Sequence, residues 1–102
     1  MAKIHKFQDD ITKEVANSLK ESIAIDTEAT GLQIPERDKL SLIQICDQNG
    51  VVYIIQPDRK NYKAPNLVKV LEDASILKIG HYLRFDKSAL EFFLKCKIKS
   101  IF

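Results

Sequence analysis

No apolar run in this sequence approaches the roughly 20 residues that a membrane-spanning helix requires, so a bilayer span is not expected. The opening stretch MAKIHKFQDD carries Lys3 and Lys6 but neither a following apolar segment nor a small-residue cleavage site. That excludes a secretory signal and makes the cytoplasm the expected compartment. Cysteine is scarce: Cys46 and Cys96 stand far apart without CxxC or metal-type spacing, and His5 and His81 do not complete a zinc set. Two reduced thiols are expected. A charge excess is also lacking, since 16 basic and 14 acidic residues leave only +2, too little to announce a nucleic-acid binder by itself. The bases of DRKNYK at 58–63 and KCKIK at 95–99 are concentrated locally. Short lysine clusters are ordinarily solvated surface, so they give only weak support for phosphate contact. No low-complexity tract or internal repeat interrupts the chain.

With 45% hydrophobic and 29% charged residues, what is present has the balance of an ordinary globular chain. Its 102 residues suit one domain with one hydrophobic core. KIHKFQDD reads as a short edge strand. Ile11, Val15, Ala16 and Leu19 recur at helical spacing, with Asp9 or Asp10 as the expected N-cap, and the helix should end near Lys20. SIAIDTE is too short and too β-branched for a helix and reads as a central strand. GLQIPERDK is a loop punctuated by Gly31 and Pro35.

LSLIQICD and VVYIIQ, joined by the turn signal QNG, form a β-hairpin. A polar loop from Pro57 to Pro65 leads into a helix carrying Leu67, Val68, Val70 and Leu71, with Pro65 in its first turn. ILKIG is a further strand. RFDKSALEFFLK is a helix expected to pack Phe85, Ala89, Leu90, Phe92 and Phe93 inward, with Lys87, Glu91 and Lys95 four apart on its solvated side. KIKSIF begins like a strand. The order βαβββαβα predicts an α/β fold: a mixed sheet with an antiparallel meander and parallel crossover strands, flanked by helices.

The stretch IAIDTEATGL raises the chemical question. Asp26 and Glu28 are two apart on a strand, so both project from one face at the end of an apolar run. Like charges so placed repel and are partly desolvated. A divalent, oxygen-seeking cation such as Mg²⁺ or Mn²⁺ would relieve both effects. A bare DxE is more often a strand reaching solvent, but two additions shift the balance. ATGL supplies Gly31 and an apolar Leu32, suited to a flat group docking beside the acids. KIGHYLRFDKSAL places Asp86 near the start of a helix that follows a strand expected to lie parallel to the first. Ligands gather at the carboxyl ends of such strands, so Asp86 is expected to reach the pair.

DTEATGL and HYLRFDKSAL, together with the LSLIQICDQNGVVYIIQP hairpin and the LEDASILKIGH lead-in, resemble the DEDD 3′-to-5′ exonucleases, specifically their ribonuclease D-like branch. The resemblance runs almost continuously from Ile23 to Leu94. It implies a ribonuclease H-like fold, two Mg²⁺ or Mn²⁺ ions, and hydrolysis of phosphodiester bonds from the free 3′ end of RNA, with DNA left open. By that resemblance Asp26 bridges both metals, Glu28 holds the metal beside the attacking water, and Asp86 holds the other. Thr27, Gly31, Leu32 and His81 fall at substrate-side positions, Leu32 packing against the terminal base. For His81 a structural role at the strand end is the simpler reading. Tyr82 stands where proofreading relatives often carry asparagine, which favours the ribonuclease D-like branch. Arg84 is read as an exposed helix arginine. The implied chemistry requires no covalent nucleophile, because two cations can activate a water and stabilise the departing 3′ oxygen.

The family's third motif would add a fourth acid and a tyrosine or histidine, and this sequence contains neither. The expectation is therefore the N-terminal half of an exonuclease domain, C-terminally truncated or split, with one metal ligand missing. One sheet face should be uncovered, and Ile98, Ile101 and Phe102 should be seeking burial. The expected partners are nucleic acid with a free 3′ end and either a separately encoded C-terminal half or a second copy. The alternative is a catalytically inactive remnant serving as a nucleic-acid-binding or protein-interaction module.

Overall fold

The computed structural model describes residues 3–30, 39–58, 60–81 and 83–102. Its elements are β1 (Ile4–Gln8), α1 (Lys13–Ser18), β2 (Ser22–Ala29), β3 (Leu40–Cys46), β4 (Val52–Gln56), α2 (Pro65–Glu72), β5 (Leu77–Ile79) and α3 (Leu83–Leu94). This is the order that hydrophobic periodicity predicts. The five strands form one mixed sheet in the order β1, β4, β3, β2, β5. Strands β2, β3 and β4 are the antiparallel meander, while β1 pairs with β4 and β5 with β2 in parallel. A tight turn can only reverse the chain, so β3 and β4 are antiparallel. In that turn the Asp47 carboxylate accepts the N–H groups of Asn49 and Val51, both at 2.9 Å, and Gly50 takes φ +81°. The passage from β4 through α2 instead returns the chain parallel. At the far edge, Ile101 bridges to Lys78 in parallel, so KIKSIF begins a strand beside β5 as expected.

Alternation decides which side is buried. Ile23 and Ile25, Ile43 and Ile45, and Tyr53 and Ile55 face one way and join a single core with Leu67, Val70 and Leu71 of α2 and Ala89, Leu90 and Phe93 of α3. Fully burying an aliphatic side chain of this size contributes about 1.5 to 3 kcal/mol. The other sheet face lies under no described helix. Pairing aligns Ile4, Val52, Cys46, Ala24 and Ile79 across it, with Ile4 59% and Ile79 40% exposed. An uncovered apolar sheet face was the expectation.

Some details differ from the sequence reading. Neither Asp9 nor Asp10 caps α1; the Thr12 side chain does, accepting from Val15 N at 3.1 Å. Asp10 instead reaches across the fold, its two carboxylate oxygens accepting the N–H groups of Asn66 and Leu67, each at 2.9 Å. The N-cap of α2, Ala64, has no side chain able to do this, so a distant carboxylate does it. Phe92 is not a core residue, for it lies on the outer side of α3, meeting Phe93 edge-on, and is 54% exposed. Ile98 is buried, whereas Ile101 and Phe102 are exposed.

Candidate active site

The acids sit where β2 changes character. Along SIAIDTEA the buried positions are Ile23 and Ile25, and Asp26 and Glu28 fall on the alternate, exposed positions. Between Glu28 and Ala29 the pairing with β3 shifts, and the Ser41 hydroxyl donates to the Glu28 carbonyl at 3.0 Å. A bulge at that point bends the strand and re-aims its last residues, so the carboxylates stand at the end of regular pairing. Gln44 lies opposite Asp26 and Leu42 opposite Glu28.

Asp86 arrives from the first turn of α3, whose entry is set by the short connection from β5. It is 1% exposed. The Thr27 hydroxyl donates to Oδ1 of Asp86, while Oδ2 is buried without a hydrogen-bond partner among the described residues. Burial pushes the Asp86 carboxyl above the usual carboxylate range; hydrogen bonding from Thr27 opposes this, and the nearby Asp26 charge adds to it. Thus α3 brings Asp86 to Thr27, the residue between the two strand acids, joining positions far apart in sequence.

The three acids do not gather into one cluster. Among the described residues no group of three His, Cys, Asp or Glu side chains stands ready to hold a metal ion. The pleat explains the separation: Asp26 and Glu28 project from the uncovered face, whereas Thr27, which holds Asp86, points to the helix-covered one. The Thr27 hydroxyl is thereby engaged by Asp86. That direction was available in the sequence, since the residue between two acids of a DxE strand must face the opposite way. His81 is exposed, in the link between β5 and α3. Gly31, Leu32 and Tyr82 lie outside the described residues.

The donor set fits a hard divalent cation. A buried carboxylate oxygen without a partner, as Oδ2 of Asp86 is among the described residues, is costly unless a positive charge neutralises it, and carboxylate oxygens are the ligands that Mg²⁺ and Mn²⁺ prefer.

A 3′-5′ exonuclease family model matches residues 3–102. The chain belongs to the 3′-5′ exonuclease family. Its fold is the ribonuclease H-like one of the DEDD exonucleases. The chain is similar to Brucella melitensis NrnC bound to pGG, with a TM-score of 0.90 and 36% identity over 100% of this chain and 49% of that one. Against Brucella melitensis NrnC with bound Mg²⁺ the TM-score is 0.89 and the identity 37%, over 98% and 49% of the two chains. The EXD2 exonuclease domain soaked in Mn and GMP shares the fold, with a TM-score of 0.68 at 18% identity over 93% and 54%. No curated protein sequence matches. The chain thus spans about half the length of the solved nucleases it resembles. None of the described helices is long and apolar enough to cross a membrane.

Proposed function

We propose that this chain forms the N-terminal half of a ribonuclease D-type 3′-to-5′ exonuclease that removes nucleotides from the free 3′ end of RNA in the cytoplasm. The observation that carries the reading is the buried, unpartnered Oδ2 of Asp86, whose other oxygen is held by Thr27, the residue between Asp26 and Glu28. Asp26, Glu28 and Asp86 would hold the cations, Asp26 between the two sites. When bound, Mg²⁺ or Mn²⁺ supplies an activated water and charge stabilisation for the leaving oxygen. Thr27 fixes one oxygen of Asp86 and leaves the other for ligation. Asp26 and Glu28, exposed on the uncovered face, stay open to an approaching strand end. Such a site engages phosphate and sugar rather than base edges, so sequence preference is slight. The part of the relatives that this chain does not span would cover the bare face and add the remaining ligand.

Calorimetric titration with Mn²⁺ tests the metal site, and binding heat absent from both Asp26→Ala and Asp86→Asn is expected. Equal heats for the variants and the parent would remove the basis of the reading. A time course on 3′-labelled single-stranded RNA with Mn²⁺, with and without the C-terminal half of Brucella melitensis NrnC, tests catalysis. Stepwise shortening that Glu28→Ala abolishes supports the enzyme. RNA that is bound but left intact under both conditions supports the inactive binding module.

A further inference from the structure

The two basic runs of the sequence, DRKNYK at 58–63 and KCKIK at 95–99, belong to different elements, yet the fold joins them. Lys63, in the segment leading to α2, and Lys95, just past the end of α3, line one groove of about 430 Å³. Its other walls include Asn61, Pro65, Val68 and Leu94, and among the described residues none that lines it is acidic. Both lysines are exposed, whereas Leu94 is 7% exposed and Val68 packs against the core. The groove thus combines two cations with an apolar floor. Its volume falls within the roughly 300 to 1,000 Å³ typical of small-ligand sites.

We infer that this groove is an accessory nucleotide subsite, holding a phosphate of single-stranded RNA between Lys63 and Lys95 and a ribose or base against Pro65, Val68 and Leu94. The inference rests on the exonuclease reading above, because it takes the strand that the acids would cut as its ligand. The adjacent N-terminus of α2 does not compete for the phosphate, since Asp10 already occupies the Asn66 and Leu67 N–H groups. That leaves the lysines as the anion receptors. The groove's position suits the role. The neighbouring Tyr62 hydroxyl donates to the Leu40 carbonyl at 3.0 Å, and Leu40 pairs with Ala29, the residue after Glu28. The groove therefore borders the end of the sheet that carries the acids, but on the helix-covered side. A strand held there has its neighbouring nucleotides directed past that sheet end. Lysine contacts to phosphate and apolar contact with bases together make a sequence-tolerant single-strand site.

The test is amide NMR of the labelled chain in EDTA, titrated separately with a single-stranded RNA decamer, uridine monophosphate, inorganic phosphate and oligoglutamate. Shifts at Asn61, Lys63, Val68 and Lys95 that saturate at lower concentration for the decamer than for the mononucleotide or phosphate are expected. Lys63→Gln/Lys95→Gln should lower the slope of log affinity against log salt by about 0.7, the value for one neutralised phosphate of a single strand, while Lys3→Gln/Lys13→Gln leaves it unchanged. RNA shifts that avoid the groove, equal shifts with oligoglutamate, or an unchanged salt slope in the double variant would each overturn the inference. Because no metal is present, these outcomes are separate from loss of Mn²⁺ heat in the parent chain, which bears on the acid site alone.

Discussion

Replacing Asp10 by alanine gives the sharpest check on how this fold is tied together. Its carboxylate accepts three backbone N–H groups at 2.9 Å, those of Ile11, Asn66 and Leu67. Two of these belong to the first turn of α2 and lie more than 50 positions away in sequence. Losing a helix N-cap costs about 0.5 to 2 kcal/mol, and hydrogen bonds to a charged acceptor contribute about 1.5 to 3 kcal/mol each when well shielded. Asp10 is half-buried, so water recovers part of the loss, and a net cost of about 2 to 3 kcal/mol is expected for Asp10→Ala. On a total stability of about 5 to 15 kcal/mol this is large, and for a domain of this size it lowers the melting temperature by about 10 to 20 °C. Asp10→Asn, which keeps one acceptor oxygen, should fall between the two. The assay is urea unfolding followed by circular dichroism, with the midpoint shifted and the slope unchanged. Asp9→Asn is the control: Asp9 has φ +73°, a conformation asparagine tolerates, and among the described residues its side chain accepts only from the neighbouring Gln8 amide, so its effect should stay within about 0.5 kcal/mol. If Asp10→Ala also stays within that margin, the long-range cap does not stabilise the protein and the reasoning fails.

Other outcomes rest on the same structure. Leu90→Ala should cost about 2 to 5 kcal/mol because the site is closed to solvent, while Phe92→Ala, at a largely exposed site, should change the urea midpoint little. Burial, with the Glu72 and Glu91 charges adding to it, pushes the Cys96 thiol up to about 11. The unfolded thiol ionises first as pH rises, so the stability that Cys96 contributes is complete below about pH 9 and declines towards pH 11. The decline is at most about 2 to 3 kcal/mol, seen as a pH-dependent difference from Cys96→Ala in urea midpoints. Alkylation with iodoacetamide at about pH 8 should modify the half-buried Cys46 and spare the buried Cys96. Asp86→Asn removes a carboxylate that burial disfavours, so it should raise or preserve the melting temperature of the metal-free chain; a marked fall would mean that the charge itself is stabilising.

The sequence by itself determined the local structure and the identity of the acids. Period-2 runs of Ile and Val marked β2, β3 and β4, and QNG marked the turn between β3 and β4. Proline with the 3.6-residue spacing of Leu67, Val70 and Leu71 marked α2. Those signals are local, so they survive without knowledge of neighbours, and DTE followed by FDKSAL named the family in the same way. What lies between distant residues was decided only by the tertiary structure. No periodicity could show that Asp10 serves a helix more than 50 positions later, because the open cap at Ala64 is local but the carboxylate that fills it is brought there by packing. Phe92 was misread as core since a helix shows only which residues share a side, and the width of the buried stripe depends on what covers it. Likewise, the sequence named Asp26, Glu28 and Asp86 but not the faces on which they end. The pleat sends Asp26 and Glu28 to the bare face of the sheet, while Thr27, on the covered face, draws Asp86 in from α3, and that division arises only when strand and helix are packed together.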